Sequence, residues 1–425
     1  MKKFGAKGDG KTDDSYAINR AMESAVMLKK PLFFPDGIYM VRSFNIKGDL
    51  IGVKGKTRIK NLSNGGSIYD FCTIRDKRGI NIRNIIFDGN VNGSNEKPSG
   101  GSIPLFIYNS SSVNISNSIF VNSPSAGLRI ELCKDLQVTA CSVKNMNGPY
   151  GDGIYIESSI NITVFNVQAN DYTRIGFVAE KNSRKIVFNQ CSARYGHDAS
   201  IIHGGTEFNA GFWAELSADV HIKNSISQDN THYGFVLTSG IQSHLLDVSQ
   251  IANFSIFSSK SVNNPVGFRI SSSGNTVRIK LENCAAVNST QGFTAFAREK
   301  NDSFEFINCT VDLIESSKDG VNDAGFMWES SINTSGDFPI FRFKNCVTNY
   351  KGKIPFHKLY NRNTNNADLS TYSGGNARIF INNMSNNTPN RQPIIKAITG
   401  NPKLEIINTK PELRYMVKAS NIVIK

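Results

Sequence analysis

The chain has 425 residues, a formal charge of +13 at pH 7 and 39% hydrophobic residues. It has no apolar run of about 20 residues and no export-type apolar segment at its start, so we expect a soluble chain made in the cytoplasm, without membrane insertion. The charge indicates a polyanionic partner, but the lysines and arginines are scattered. That pattern disfavours nucleic acid and favours an acidic polysaccharide or a cell surface.

Residues 1–50 predict a helix between a glycine-rich turn and two strands. Thr12 or Asp13 is the candidate helix cap, and the helix is expected to end near Lys30. The stretch 31–41 predicts a strand, a turn and a strand. An amphipathic helix can cover the open first coil of a repeat protein, and the apolar face here consists of Ala17, Ile18, Ala21, Ala25 and Leu28.

A five-residue phrase recurs further along the chain: glycine, apolar, variable, apolar, glutamate. Its starts lie 26, 23 and 35 residues apart, a period of about two dozen residues with one insertion, which is typical of a solenoid. Side chains alternate along a strand, so the apolar residues should point inward and the variable residue and glutamate outward. The four segments are Gly127–Glu131, Gly153–Glu157, Gly176–Glu180 and Gly211–Glu215.

The phrase continues with phenylalanine as its first apolar residue, and a second strand pattern follows it by several residues. Such short repeats cannot bury a core alone, whereas stacked coils can, because each strand hydrogen-bonds its neighbours. A β-sandwich has similar strand spacing but gives no reason for a phrase to recur in register. We therefore predict an all-β, right-handed parallel β-helix with an N-terminal capping helix and a ring stack of Phe177, Phe212, Phe235, Phe268, Phe293 and Phe326.

The seven cysteines do not indicate a disulfide framework. Five of them end the second strand pattern, at a position where serine also occurs. We expect a row of small, buried, reduced thiols there, formed by Cys141, Cys191, Cys284, Cys309 and Cys346.

The N-terminal sequence also carries a family resemblance. Phe4-Gly-Ala-Lys-Gly-Asp-Gly10, Thr12-Asp-Asp14 and Phe34-Pro-Asp-Gly-Ile-Tyr39 resemble the signature of pectate-lyase-superfamily β-helix proteins. The resemblance implies the fold but not the reaction, because the family includes polygalacturonase-like hydrolases, lyases, epimerases, phage tailspike depolymerases and binding spikes.

The sequence predicts three parts. These are a cap in residues 1–50, a parallel β-helix in residues 51–350, and closing coils with a C-terminal cap in residues 351–425. No separate C-terminal carbohydrate-binding or trimerisation domain is evident from the sequence.

The glutamates of the phrase are candidate catalytic groups. Glu157, Glu180 and Glu215 should align in successive coils, where neighbouring carboxylates raise one another's pKa and supply the acid and base of glycoside hydrolysis. Glu131 and Glu329 lie at the margins and are expected to be structural. The alternative is an ion-paired ladder neutralised by nearby cations: Arg129, Arg174, Arg184, Lys181 and Lys223.

Asp152 is the fourth catalytic candidate. Tyr150-Gly-Asp-Gly-Ile-Tyr-Ile156 resembles the stretch of polygalacturonase-like hydrolases that holds a catalytic aspartate, and the resemblance places Asp152 there. One coil later that family has paired aspartates, where this chain has Arg174-Ile175, so the acid pair does not transfer. Alternatively, Asp152 is a turn residue before Gly153.

Four side-chain types are predicted to contact substrate. Tyr155 and Trp213 suit stacking on a sugar, and Arg129 and Arg174 suit pairing with a sugar carboxylate. His197, in a Gly196-His197-Asp198 stretch similar to the family's Gly-His-Gly, could orient an acid or be an ordinary surface residue. No cofactor or metal ion is expected, although a site made of His197, Asp198, His203 and Glu207 is conceivable.

The sequence thus predicts a glycoside hydrolase that depolymerises an acidic bacterial capsular or exopolysaccharide. Two alternatives stay open: a polysaccharide lyase of the same fold, and a spike that only binds glycan. The expected setting is a phage tail or another extracellular site of action, and a homotrimer is compatible with the sequence.

Overall fold

The computed structural model describes most of the chain in two compact units, Met1–Trp213 and Ala214–Lys425. The strand Ala210–Glu215 spans the boundary between them. The predicted part boundaries after residues 50 and 350 stay a prediction. The described residues are 1–63, 71–90, 103–148, 150–197, 209–239, 251–314, 323–330, 337–350, 367–374, 378–387, 396–397, 403–407 and 422–424.

The first unit contains three sheets of parallel strands, and each coil contributes one strand to each sheet. Sheet I consists of Asp9–Asp13, Gly37–Val41, Thr57–Asn61, Ile86–Asp88, Ile119–Ser123, Ser142–Met146, Gln168–Tyr172 and Ser192–Gly196. Sheet II consists of Phe44–Asn45, Cys72–Arg75, Leu105–Tyr108, Leu128–Glu131, Ile154–Glu157 and Ile175–Glu180. Sheet III consists of Leu32–Phe34, Leu50–Gly52, Asn81–Arg83, Asn114–Ser116, Lys134–Thr139, Ile160–Phe165 and Arg184–Asn189.

The second unit is also built from three sheets of parallel strands. Sheet IV consists of Ile226–Gln228, Lys260–Val262, Ala285–Ser289, Thr310–Leu313, Val347–Tyr350 and Ser385–Asn387. Sheet V consists of Tyr233–Thr238, Val266–Ser271, Gln291–Ala297, Asp323–Ser330, Ala367–Gly374 and Lys396–Ala397. Sheet VI consists of Ala218–Lys223, Ala252–Phe257, Val277–Glu282, Ser303–Ile307, Ile340–Lys344, Arg378–Asn382, Lys403–Ile407 and Ile422–Ile424.

The predicted register is confirmed in both units. Ile154 pairs with Phe177, and both are fully buried. In the second unit, the rings of Phe235, Phe268 and Phe293 stack with centroids 4.8 and 4.6 Å apart. Equivalent positions of the phrase therefore form columns, and the inward columns make the core.

Glycine opens the phrase because neighbouring coils approach closely there. A Cβ added to Gly153 would lie 2.2 Å from the carbonyl oxygen of Gly176 and 2.9 Å from the Cβ of Ala169. Neither distance is compatible with van der Waals contact, so the close spacing of the coils requires glycine at this position.

Asparagine is abundant because it occupies tight corners. In the second unit, four asparagines between sheets VI and IV adopt the left-handed backbone, which asparagine tolerates well. Their amides form a ladder in which each Nδ2 donates to the Oδ1 of the preceding coil, at 2.9, 3.0 and 3.0 Å. The ladder residues are Asn283, Asn308, Asn345 and Asn383.

The cysteine prediction is confirmed, since all seven cysteines are free and buried. The Cys309 Sγ, for example, contacts the carbonyl oxygens of Leu281 and Ile307 at 3.6 and 3.5 Å. Burial raises the pKa of the Cys141 thiol to about 11, so this residue is structural rather than nucleophilic.

The N-terminal helix spans Ser15–Met27 and buries the predicted apolar residues except Leu28. Its N-cap is Asp14, not Thr12 or Asp13; the Asp14 carboxylate accepts hydrogen bonds from the backbone of the glycine-rich turn, from Lys7 N at 2.7 Å and Gly8 N at 3.0 Å. The helix ends before Lys30, and Leu28 is 61% exposed because it follows the last helical turn. Within the described ranges, no helix has the length and apolarity to cross a bilayer.

Candidate functional site

A column of three glutamates runs across sheet II of the first unit. Glu131 pairs with Glu157, and Glu157 pairs with Glu180 in the next coil. Their side chains are 21%, 13% and 14% exposed. Neighbouring strands lie about 4.8 Å apart, so the predicted alignment holds for these three residues and concentrates negative charge on the outer face.

Two cations interleave with this column. Arg129 Nη2 lies 2.7 Å from Glu131 Oε2 and 3.1 Å from Glu157 Oε2. Lys181 Nζ lies 3.0 Å from Glu157 Oε1 and 3.7 Å from Glu180 Oε1. The ion-paired alternative is therefore what the structure shows for Glu131 and Glu157, and Arg129 is occupied by carboxylates of its own chain.

Asp152 lies just before the strand Ile154–Glu157 and is 1% exposed. Arg174 Nε donates to its Oδ1 at 2.9 Å, Arg174 Nη2 donates to Oδ2, and the backbone N–H of Ile175 donates to Oδ1 at 3.2 Å. Burial raises the pKa of Asp152 above its ordinary value; Arg174 opposes this shift, and Glu180 adds to it. Asp152 is thus more than a turn residue, because its carboxyl group is buried and accepts three hydrogen bonds.

Tyr155 contacts Glu180 and lies beside two arginines. Its hydroxyl donates to Glu180 Oε1, and the guanidinium carbons of Arg129 and Arg174 lie 5.4 and 5.8 Å from its ring centroid. Burial, followed by the charge of Glu180, raises the pKa of Tyr155. The residue faces outward as predicted, but at 8% exposure with two guanidiniums beside it, little of its ring is open for sugar stacking.

These residues surround a cleft of about 360 Å³, a size typical of small-ligand sites. Asp152 and Glu180 both line it. The register places Asp152 opposite Ile175, five residues before Glu180, which is ~16 Å along the strands between their Cα atoms. Both residues nevertheless line the same cleft. The lining residues are Ser125, Ala126, Arg129, Tyr150, Asp152, Tyr155, Arg174, Glu180 and Lys181.

Tyr150 and Lys181 were not predicted as substrate-binding residues. Tyr150 is 55% exposed, and the Arg174 guanidinium carbon lies 5.7 Å from its ring centroid. This open aromatic surface at the cleft wall suits sugar stacking better than Tyr155. The sequence feature that could have identified Tyr150 is the irregular stretch Met146–Asp152, because binding residues often lie on loops.

The remaining predicted residues lie elsewhere or are undecided. His197 Nε2 lies 2.6 Å from Asp171 Oδ1 at the end of a sheet I strand and does not line the cleft. Trp213 and Glu215 are half-buried in the strand at the unit boundary, and their part in the cleft stays a prediction. Asp198, His203 and Glu207 lie outside the described residues. Among those described, no three His, Cys, Asp or Glu side chains are placed to hold a metal ion.

Family comparisons agree with this architecture. Residues 1–193 match the family model described as rhamnogalacturonase A/epimerase, pectate lyase-like, and residues 105–286 match the right handed beta helix region. The chain has the pectate-lyase-like, right-handed parallel β-helix fold. The resemblance inferred from the N-terminal signature is thereby confirmed.

Relatives of known activity cover only part of the chain. An exopolygalacturonase of Arabidopsis thaliana is 26% identical over 223 residues, 47% of this chain and 49% of the relative. A polygalacturonase of the same plant is 27% identical over 188 residues, 38% of this chain and 43% of the relative. The chain thus spans about half the length of the curated relatives it matches, and the named relatives are glycan-degrading enzymes.

Solved structures with the same fold include two carbohydrate-active enzymes. The A-module of the mannuronan C-5 epimerase AlgE4 of Azotobacter vinelandii is 17% identical with a TM-score of 0.52, over 100% of this chain and 99% of that one. The catalytic domain of a GH87 alpha-1,3-glucanase is 14% identical with a TM-score of 0.58, over 81% and 64%. At these identities the similarity is one of fold.

Proposed function

We propose that the chain is a glycoside hydrolase that cleaves an acidic polysaccharide in the cleft of the first unit. The proposal rests on the presence in one cleft of two carboxyl groups whose environments differ. Asp152 is buried with a raised pKa, whereas Glu180 is partly exposed and held by the Tyr155 hydroxyl and Lys181. Carboxyl groups that differ in environment divide into an acid and a base.

The different environments of the two carboxyl groups indicate which one is the acid and which one is the base. Asp152 acts in its protonated form, which burial favours and the pairing with Arg174 opposes. It donates that proton to the glycosidic oxygen of the leaving sugar, while Arg174 fixes the direction of the carboxyl group. Glu180, as a carboxylate, accepts a proton from the water that attacks the sugar on its opposite face. This division of roles is that of an inverting glycoside hydrolase.

Cations at the cleft support an acidic substrate. Arg129, Arg174 and Lys181 line it, and the chain carries a charge of +13. All three pair with carboxylates of the chain, and Lys181 has the most exposed side chain of the three, at 37%. Lys181 is therefore the lining cation that can most readily shift toward a sugar carboxylate. The two polygalacturonase relatives are consistent with such a substrate.

A polysaccharide lyase or epimerase is the second candidate, favoured by a tyrosine beside two guanidiniums in the cleft. Tyr155 would remove the proton next to a uronate carboxylate. The Tyr155 hydroxyl donates a hydrogen bond to Glu180 Oε1, however, and burial and Glu180 raise its pKa. Both effects disfavour the phenolate that would act as that base. The geometry therefore favours a hydrolase over a lyase or epimerase.

Product analysis on a polysaccharide panel tests the proposal. The panel contains polygalacturonate, alginate, and bacterial capsular and exopolysaccharides, the last two because the N-terminal signature is similar to that of tailspike depolymerases. Hydrolysis yields new reducing ends and saturated products. A lyase yields unsaturated products that absorb ultraviolet light and are lighter by one water than the corresponding hydrolysis products. An epimerase would change the uronate composition without shortening the chain. Unchanged chain length together with unchanged uronate composition on every glycan would support a role in glycan binding alone and contradict both enzymatic proposals.

A further inference from the structure

The first unit has a second groove, at the corner between sheet III and sheet I and away from the sheet II cleft. Its volume is about 350 Å³, within the range of carbohydrate and small-ligand sites. We propose that this corner groove binds a neutral stretch of glycan independently of cleavage. The residues that carry the inference are Asn84, Asn117, Ala140, Asn166 and Gln168.

The side-chain amides in the corner groove are unpaired. Within the described residues, the side chains of Asn84, Asn117, Asn166 and Gln168 form no hydrogen bond to the protein, and the last three are exposed. The equivalent corner of the second unit differs, because its asparagines bond to one another at 2.9–3.0 Å. The same corner position thus forms a closed ladder in one unit and an open row of amides in the other.

Ala140 interrupts the row between Asn117 and Asn166. It adopts a φ of 52°, a left-handed conformation that costs alanine about 1 kcal/mol more than asparagine or glycine. Asparagine here would relieve that strain and could bridge to its neighbours. The methyl group leaves the space between the two amides open instead, and this space is the middle of the groove.

The lining chemistry indicates a neutral sugar. An amide offers both donors and acceptors, which suits hydroxyl groups. Ile86 and Ile119 are paired in register and form an apolar floor, against which the C–H face of a sugar can pack. Among the lining residues only Lys54 is charged, and it is exposed, so the groove has no built site for a carboxylate.

The substitution Ala140→Asn fills this space and tests the proposal. The probes are neutral glucan, mannan and galactan tetrasaccharides, and the readouts are calorimetric binding and thermal unfolding. We expect the native protein to bind at least one probe, and Ala140→Asn to weaken that binding about tenfold, equivalent to one or two neutral hydrogen bonds, without lowering Tm. Gln168→Ala should weaken binding without filling the groove.

Asn308→Ala is the matched control, because it breaks the ladder of the second unit. It should lower Tm and leave binding of the tetrasaccharide unchanged. Absence of binding to all three probes, or native affinity in both Ala140→Asn and Gln168→Ala, would overturn the proposal. Neither result depends on cleavage of an acidic glycan, so this test and that of the hydrolase can fail separately.

Discussion

Arg174 holds Asp152 by two hydrogen bonds across neighbouring coils, from Nε to Oδ1 at 2.9 Å and from Nη2 to Oδ2. A two-point contact of this kind fixes the plane of the carboxyl group as well as its position. The proposed acid is therefore oriented by the following coil, at the position where the polygalacturonase-like pattern would have an aspartate. This arrangement makes Arg174 a positioning residue of the cleft.

Replacing Arg174 should destabilise the folded protein by an amount that depends on pH. We expect Arg174→Gln to destabilise the protein by about 3–5 kcal/mol at neutral pH, because a buried carboxylate is left without its partner. The pKa of Asp152 is already raised by burial and should rise further. The folded state then binds a proton more tightly than the unfolded chain, so the penalty should shrink as pH falls.

Thermal unfolding at pH 7 and pH 5 measures this effect. The double variant Asp152→Asn/Arg174→Gln serves as the control and should regain much of the stability at pH 7, since it removes the unpaired charge. A loss of equal size at both pH values would show that Arg174 contributes mainly through packing.

The variant Tyr155→Phe distinguishes the contribution of the hydroxyl group from that of the aromatic ring. The phenylalanine keeps the aromatic face beside Arg129 and Arg174 but removes the donor to Glu180 Oε1. We expect a stability loss of about 1.5–3 kcal/mol, the range for a hydrogen bond to a charged group, and a lower kcat with little change in KM. An unchanged kcat would show that this hydrogen bond does not position Glu180 for the reaction.

Asp302 should make the stability of the second unit depend measurably on pH. It accepts backbone N–H bonds from Val277, Arg298 and Glu299 at 2.9, 3.1 and 2.9 Å, and burial raises its pKa to about 6. As pH rises from about 4 to 6, the unfolded chain loses this proton before the folded state does, so stability falls by roughly 2 kcal/mol.

Comparison with Asp302→Asn isolates that contribution. The variant is expected to be less stable overall, because its amide N–H₂ faces backbone donors, but the decrease between pH 4 and 6 should be smaller than in the native protein. Urea unfolding across this range provides the measurement. Identical slopes in both proteins would assign the pH dependence to other groups.

The asparagine ladder should stabilise the second unit through two separable effects. Asn308→Gly removes the amide bonds to Asn283 and Asn345 but tolerates the φ of 50°. Asn308→Ala removes the same bonds and also places alanine in a left-handed conformation. We expect the alanine variant to be less stable than the glycine variant by about 1 kcal/mol, as measured by denaturant midpoint; a reversed order would contradict this account of the corner.

The sequence predicted the columns but not how their outer faces are neutralised. A repeat period determines register, so the core stack and the alignment of Glu131, Glu157 and Glu180 could be inferred from spacing alone. The contact of Asp152 with Arg174 could not, because it depends on side-chain directions at the irregular entry to a strand. Likewise, alternation correctly predicted that Tyr155 points outward, but it carries no information about the two guanidiniums that cover its ring.

The most direct test of the account is cleavage of the acidic polysaccharide identified in the panel by Asp152→Asn and Glu180→Gln, with Glu131→Gln as the matched control. Glu131 shares the glutamate column and Arg129 but does not line the cleft. The account predicts that each cleft variant loses at least about 100-fold in kcat, the usual contribution of a general acid or base, while the control keeps most of its rate. Full activity in both folded cleft variants would contradict it.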